Sequence, residues 1–284
     1  MDIPIWQYII SMIAYTAFLL FFIEFNRKHP KFAAIFWISS LFTFPLWKGN
    51  LFGWFRWAKT VSVLIPIALI VGLARISHLY KKEGWWKFFR KDWVLWALYM
   101  VLFLNIFEAT LKDFGTGNYF NGIAGVILCI TIPWPHYKGI KQRFWGFSKK
   151  APGDLLVYTT FAWNFLYTTW NLAFVFGENA GFFASSICIL MAAELYPIIK
   201  GRPELYVTAR IYTLAFHILL RSTYDIFTPL MDSTSWANDN VLYIWGVINM
   251  ALHVPYGIWW ITKYYKSKKE GIPLPLKSME SQTS

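Results

Sequence analysis

Apolar residues in this chain come in blocks of about 17 to 25, the length that crosses the hydrocarbon of a bilayer at 1.5 Å per residue, and basic or turn-rich segments separate them. The pattern predicts nine membrane-spanning helices, over residues 5–25, 31–47, 57–76, 93–112, 118–135, 155–176, 179–199, 207–228 and 241–263. The second is short and contains Pro45, and the fifth closes on the PWP of residues 133–135. No connection shows a folded-domain pattern, so the expectation is one all-α transmembrane bundle over residues 1–265. The remainder, 266–284, ends in PLPLKSMESQTS and is expected to be a disordered cytoplasmic tail.

Basic residues sharpen this into a topology. Taking every second connection, the segments at 27–31, 75–91, 138–150, 200–202 and 263–277 hold 21 of the 27 lysines and arginines. Cytoplasmic loops carry that excess, which places the N-terminus outside and the C-terminus inside and requires an odd number of spans. The outer segment WKGNLFGWFRWAK, residues 47–59, breaches the rule with three cations. The inner segment KKEGWWKFFRKDW, residues 81–93, mixes cations with rings as a headgroup-layer segment does. Composition agrees: 57% of the 284 residues are hydrophobic and 15% charged, where a soluble domain carries roughly a quarter charged. The net charge of +12 is spread in alternation along the chain, so the bilayer and not nucleic acid is the expected partner. The opening MDIP lacks a basic leader, so the first helix reads as a retained span. Cys129 and Cys188 both fall within spans and imply no disulfide framework.

Against this apolar background the ionisable groups stand out, since each costs a few kcal/mol in lipid unless it faces a partner, a protein interior or water. In the eighth span, centred near His217, Arg221 lies roughly 6 Å outward, Asp225 roughly 12 Å outward and Arg210 roughly 10 Å inward. They share one helical face. Ordering the other spans by depth gives three layers. An inner layer pairs Glu194 with Arg210 as a gate or ion pair, a middle layer holds Asn164, His217 and His253, and an outer layer holds Glu108, Asn171, Arg221, Asp225 and Asn249. Trp170 shares the polar face of the sixth span. The layers are expected to line one midplane chamber, with Glu108, Asn164, Trp170, Asn171, His217, Arg221, Asp225, Asn249 and His253 binding a small-molecule solute. The competing bland reading gives each interhelical Asn to packing and Glu194–Arg210 to a structural ion pair.

WFRWAKTVSVL (54–64), LNIFEATLKDF (104–114), NGIAG (121–125) and DLLVYTTFAWNFLYTTWNLAFVF (154–176) resemble segments of a family of bacterial multi-pass membrane proteins classed as a domain of unknown function. The resemblance covers about two thirds of the chain. It points to Lys59, Glu108, Asp113, Asn121, Asn164, Trp170 and Asn171, implies a shared bacterial membrane fold and carries no activity.

Two function classes follow. A polar site at mid-depth flanked by ionisable groups fits a transporter of a small polar or zwitterionic solute in the cell inner membrane, with a proton coupled through a carboxylate or imidazole. The alternative is an intramembrane enzyme acting on a lipid or isoprenoid by His/carboxylate acid–base chemistry. No HExxH, GxSxG or aspartate-rich diphosphate motif is present, and no metal or cofactor is expected.

Overall fold

The computed structural model describes residues 3–80 and 83–282. The chain is a helical bundle. Its elements are α1 (Ile5–Lys28), α2 (Pro30–Ser40), α3 (Phe44–Trp47), α4 (Trp54–Pro66), α5 (Gly72–Leu79), α6 (Trp93–Gly115), α7 (Tyr119–Thr131), the strands β1 (Trp145–Phe147) and β2 (Leu155–Val157), α8 (Phe161–Glu178), α9 (Phe183–Lys200), α10 (Tyr206–Thr223), α11 (Phe227–Met231) and α12 (Asp239–Glu270).

Among the described residues five helical runs are long and apolar enough to cross a membrane: α1, the run 56–79, α6, the run 180–200 and α12. α1 and α12 present outward stripes of Ile5, Ile9, Ile13 and Phe21, and of Ile248, Ile258 and Ile261, all more than half exposed or nearly so. Apolar area of that extent needs a lipid or protein cover. α8 and α10 fall outside the five because their 18 residues carry asparagines, arginines and a histidine. Pro45 splits the second predicted span into α2, a 3-10 turn and the four-residue α3.

Helix ends follow local chemistry. Pro66 cannot donate to the helical ladder, and the run 56–79 opens into a π turn at Ile67–Val71 immediately after it. Gly201 and Gly271, at φ +63° and +68°, supply the left-handed residue that closes α9 and α12. The Thr160 hydroxyl accepts from the Trp163 amide and starts α8 at Phe161. That cap corrects the predicted span at 155–176: its first residues form β2, paired antiparallel with β1 in the register Trp145–Val157, Gly146–Leu156, Phe147–Leu155. All six strand residues are buried.

Loops gather at two ends of the bundle. At one, Gln7 donates to the carbonyls of Pro229 and Leu230, and Asn50 to those of Ser222 and Thr223. At the other, Arg27 pairs with Asp154, Lys200 with Glu24 and Arg143 with Asp92. This second end also holds residues 274–280, packed where a disordered tail over 266–284 was expected; residues 283–284 of that tail lie outside the described residues. Gln142 brackets Leu274, accepting from its amide and donating to its carbonyl, while the Met279 amide donates to the Arg143 carbonyl. Leu274 and Ser278 are buried. The side chains of Leu274, Leu276 and Met279, packed into or against the core, and a backbone pairing outweigh the polarity that suggested disorder.

Candidate functional site

One face of α10 builds the site. Arg210, Leu214, His217, Ile218 and Arg221 succeed one another at helical spacing, and with Asp225 just past the helix end they line one wall of a cavity of about 430 Å³. α8 supplies Asn171, Phe174, Val175 and Glu178, again at spacings of three and four. Arg56, Lys59 and Thr60 come from α4, Asn105 from α6, Ser186 and Ile189 from α9, and Asn50 to Phe52 from the turn before α4. That turn is fixed because Asn50 donates to the carbonyls of Ser222 and Thr223 at the α10 C-terminus, where the helix leaves acceptors unused. The cavity therefore opens toward the end that carries residues 50–52 and 225–228.

Its electrostatics are one-sided. Four cations, Arg56, Lys59, Arg210 and Arg221, face two carboxylates. Both carboxylates have partners. Glu178 accepts from Lys112 at 2.9 Å and lies 3.9 Å from Arg56. Asp225 accepts from the amides of Phe227 and Thr228 and from the Thr228 hydroxyl, holding the start of α11. The Arg221 guanidinium sits over the Phe182 ring, 3.6 Å from its centroid.

Arg210 is the deepest cation, 5% exposed. Its Nη2 donates to Asn171 Oδ1 at 3.2 Å and its guanidinium lies 6.0 Å from the Tyr167 ring centroid. Nε and Nη1 have no hydrogen-bond partner among the described residues. His217, 2% exposed, is 3.4 Å from the Tyr15 hydroxyl through Nδ1, packs on Phe227, and leaves Nε2 without a partner. Buried donors of this kind are rare and costly in a protein interior. Here three unused nitrogens belong to two residues that line one cavity.

Of the eleven residues expected from depth, Asn171, Arg210, His217, Arg221 and Asp225 meet in this cavity. Glu108, half-buried on α6, is not in its wall but lies within electrostatic reach of Lys59. The other five are elsewhere. Glu194 does not pair with Arg210: it accepts from the Thr168 hydroxyl at 2.8 Å, because its face of α9 turns toward α8 while Arg210 turns into the cavity. Asn164 accepts from Thr159 and donates to the Pro203 carbonyl, tying two loops at the opposite end. Asn249 donates to Asn121 Oδ1 and accepts from Thr169, and Asn121 in turn donates to Asp113. Trp170 donates to the Asn121 carbonyl, and His253 Nδ1 lies 2.6 Å from the Asn249 carbonyl. These groups form a sealed network joining α6, α7, α8 and α12. The three-layer chamber is thus a single cavity beside a separate packing network.

Arg56 and Lys59 were missing from the depth-based set. Their signal was the breach of the charge rule at residues 47–59, since cations misplaced for topology have another use. Among the described residues no group of three His, Cys, Asp or Glu side chains is placed to hold a metal ion. No family model, curated protein or solved structure matches this chain.

Proposed function

We propose that the chain is a multi-pass transporter of the cell membrane, with nine crossings and its N-terminus outside, that carries a small polar solute bearing an anionic group. One observation carries the reading: Arg210, whose buried guanidinium has two unused nitrogens, lines a cavity of about 430 Å³. Each is a charge-assisted donor from which a carboxylate or phosphate oxygen can accept. Four cations against two carboxylates leave the balance of the cavity cationic, which favours an anion over a zwitterion.

Alternating access needs an element that can change shape beside the site. The helix run 56–79 provides it, with Lys59 and Thr60 in the cavity wall and the Pro66 break and π turn following within two turns. Discontinuous helices with ends or breaks at the substrate level are the recurring device of secondary transporters.

The test is counterflow of labelled phosphate, succinate and glutamate into proteoliposomes holding the full chain. At least one of these anions accumulates with the wild-type protein. Arg210→Gln removes a charge-assisted contact of about 2 kcal/mol, a loss of about thirtyfold in affinity, and Asn171→Leu lowers uptake in the same direction by freeing the guanidinium from its position. Glu194→Gln leaves uptake unchanged, since Glu194 is turned to Thr168. Counterflow of none of the three by folded protein, or full activity of Arg210→Gln, contradicts the proposal.

A further inference from the structure

Directly beyond Arg210 the wall changes character on four elements at one level. On the run 56–79 the cavity residues Lys59 and Thr60 give way to Val63, Pro66, Ile67 and Val71. On α6 Asn105 is followed one turn on by Leu102 and Val101 and a further turn on by Leu98. On α10 Arg210 is followed by Val207 and Tyr206, and on α8 Asn171 by Tyr167 and Trp163. Between these faces lies a slot of about 50 Å³ that shares Asn105, Arg210 and Leu214 with the cationic cavity. From Val63 to Val71 it extends about 12 Å at a helical rise. Val101, Leu102 and Ile211 are only half-buried, so the slot reaches the molecular surface at the height of the membrane-crossing helices.

A cavity for a fully hydrophilic anion has no use for an apolar extension on the far side of its deepest cation. An amphiphile does. We infer that the solute carries a single aliphatic chain: its compact anionic head meets Arg210 in the cavity, and its chain lies in the slot between the run 56–79, α6 and α10. Charge fixes the head at the cationic side, and burial of methylenes against Val63, Ile67, Leu98 and Leu102 fixes the tail. This inference rests on the anion reading of the cavity and narrows its substrate class.

The test is binding of alkyl phosphates, methyl to octyl, to the full chain in nanodiscs of zwitterionic lipid, followed by calorimetry. Beyond the shortest members, affinity rises by about fourfold per added methylene, the factor that burial of one methylene supplies, and levels off when the slot is full. Val101→Trp and, independently, Ile211→Phe flatten that rise and leave methyl phosphate binding unchanged. Arg210→Gln weakens every member equally. Nanodiscs doped with lysophosphatidate, a single-chain lipid, separate two sources of the same chemistry: competition assigns the head to a membrane lipid, and its absence to a free amphiphile. A flat series in the wild type, with methyl phosphate still bound, overturns the inference and spares the anion reading. A rise that persists undiminished in Val101→Trp and Ile211→Phe, with no member weakened by Arg210→Gln, reports partition into lipid and also overturns it. No phosphate binding by folded wild-type protein sinks the anion reading itself.

Discussion

Arg75 permits the most direct energetic prediction in the molecule. It lies on α5, 2% exposed, at the end of the bundle opposite the cavity mouth. Its guanidinium makes five hydrogen bonds: Nε to the Gly153 carbonyl, Nη1 to the Asn26 carbonyl and the Tyr212 hydroxyl, and Nη2 to the carbonyls of Arg27 and Pro152, at 2.6 to 3.2 Å. Asn26 and Arg27 are in the last turn of α1, where carbonyls lack helical partners and the helix dipole favours a cation. One side chain thus caps α1, holds the 152–153 turn and anchors α10. Arg75→Met keeps the length and removes every donor. The turn carbonyls of Pro152 and Gly153 regain water when the turn lifts, but the Asn26 and Arg27 carbonyls and the Tyr212 hydroxyl stay within the bundle. At about 1–3 kcal/mol for each stranded group the cost is about 3–9 kcal/mol, against a total stability of about 5–15 kcal/mol. The assay is thermal unfolding of the purified chain in mild detergent by tryptophan fluorescence, paired with limited trypsin digestion at Lys149 and Lys150. The midpoint falls by roughly 6 °C or more, at 2–4 °C per kcal/mol, and cleavage of the loosened turn accelerates. Arg75→Lys recovers only part of the loss, since one ammonium cannot reach five acceptors on three elements. An unchanged midpoint with unchanged cleavage would falsify the idea that these bonds hold the end of the bundle.

Two further outcomes test the packing. A Cβ on Gly125 falls 2.1 Å from Thr110 Oγ1 and 2.9 Å from Trp170 Nε1, so Gly125→Ala lowers stability by about 1–3 kcal/mol through overpacking, and adding Thr110→Ala recovers part of it; equal losses with and without that second change would refute the proposed clash. Deleting residues 272–284 strips Leu274 from its bracket on Gln142 and Met279 from its seat over Gly146, so trypsin sensitivity rises at Arg143 while anion uptake persists; an unaltered digest would show that the segment contributes nothing to this end.

The helical bundle was legible in the sequence because a hydrophobic block of twenty residues leaves few other outcomes. What escaped was local. Pro45 and Pro66 were visible, but whether a proline ends a helix, kinks it or opens a π turn depends on the neighbours that take up the freed carbonyls. The β1–β2 hairpin was hidden because LLV at 155–157 is as apolar as the helix that follows, and only the Thr160 cap separates them. The packed tail was hidden because its partners, Gln142 and Arg143, lie more than 130 residues away in sequence.

For the site, the gap between reading and structure has one cause: depth along the membrane normal was estimated from helical rise, whereas direction around each helix depends on which neighbour it meets. His217 and His253 occupy similar depths in their helices, and both are buried. His217 shares its face with Arg210 and Arg221 and borders the cavity; His253 shares its face with Asn249, whose carbonyl it contacts, and is closed in by α8. Glu194 and Arg210 match in depth and still miss each other. The same rule explains the successes. Arg210, His217 and Arg221 kept together because they are on one helix, where spacing fixes direction as well as height. A residue set drawn from several helices needs one more piece of information, a signal of facing. Here it lay in Arg56 and Lys59, cations of the 47–59 segment whose charge made no sense as topology and which line the same cavity from α4.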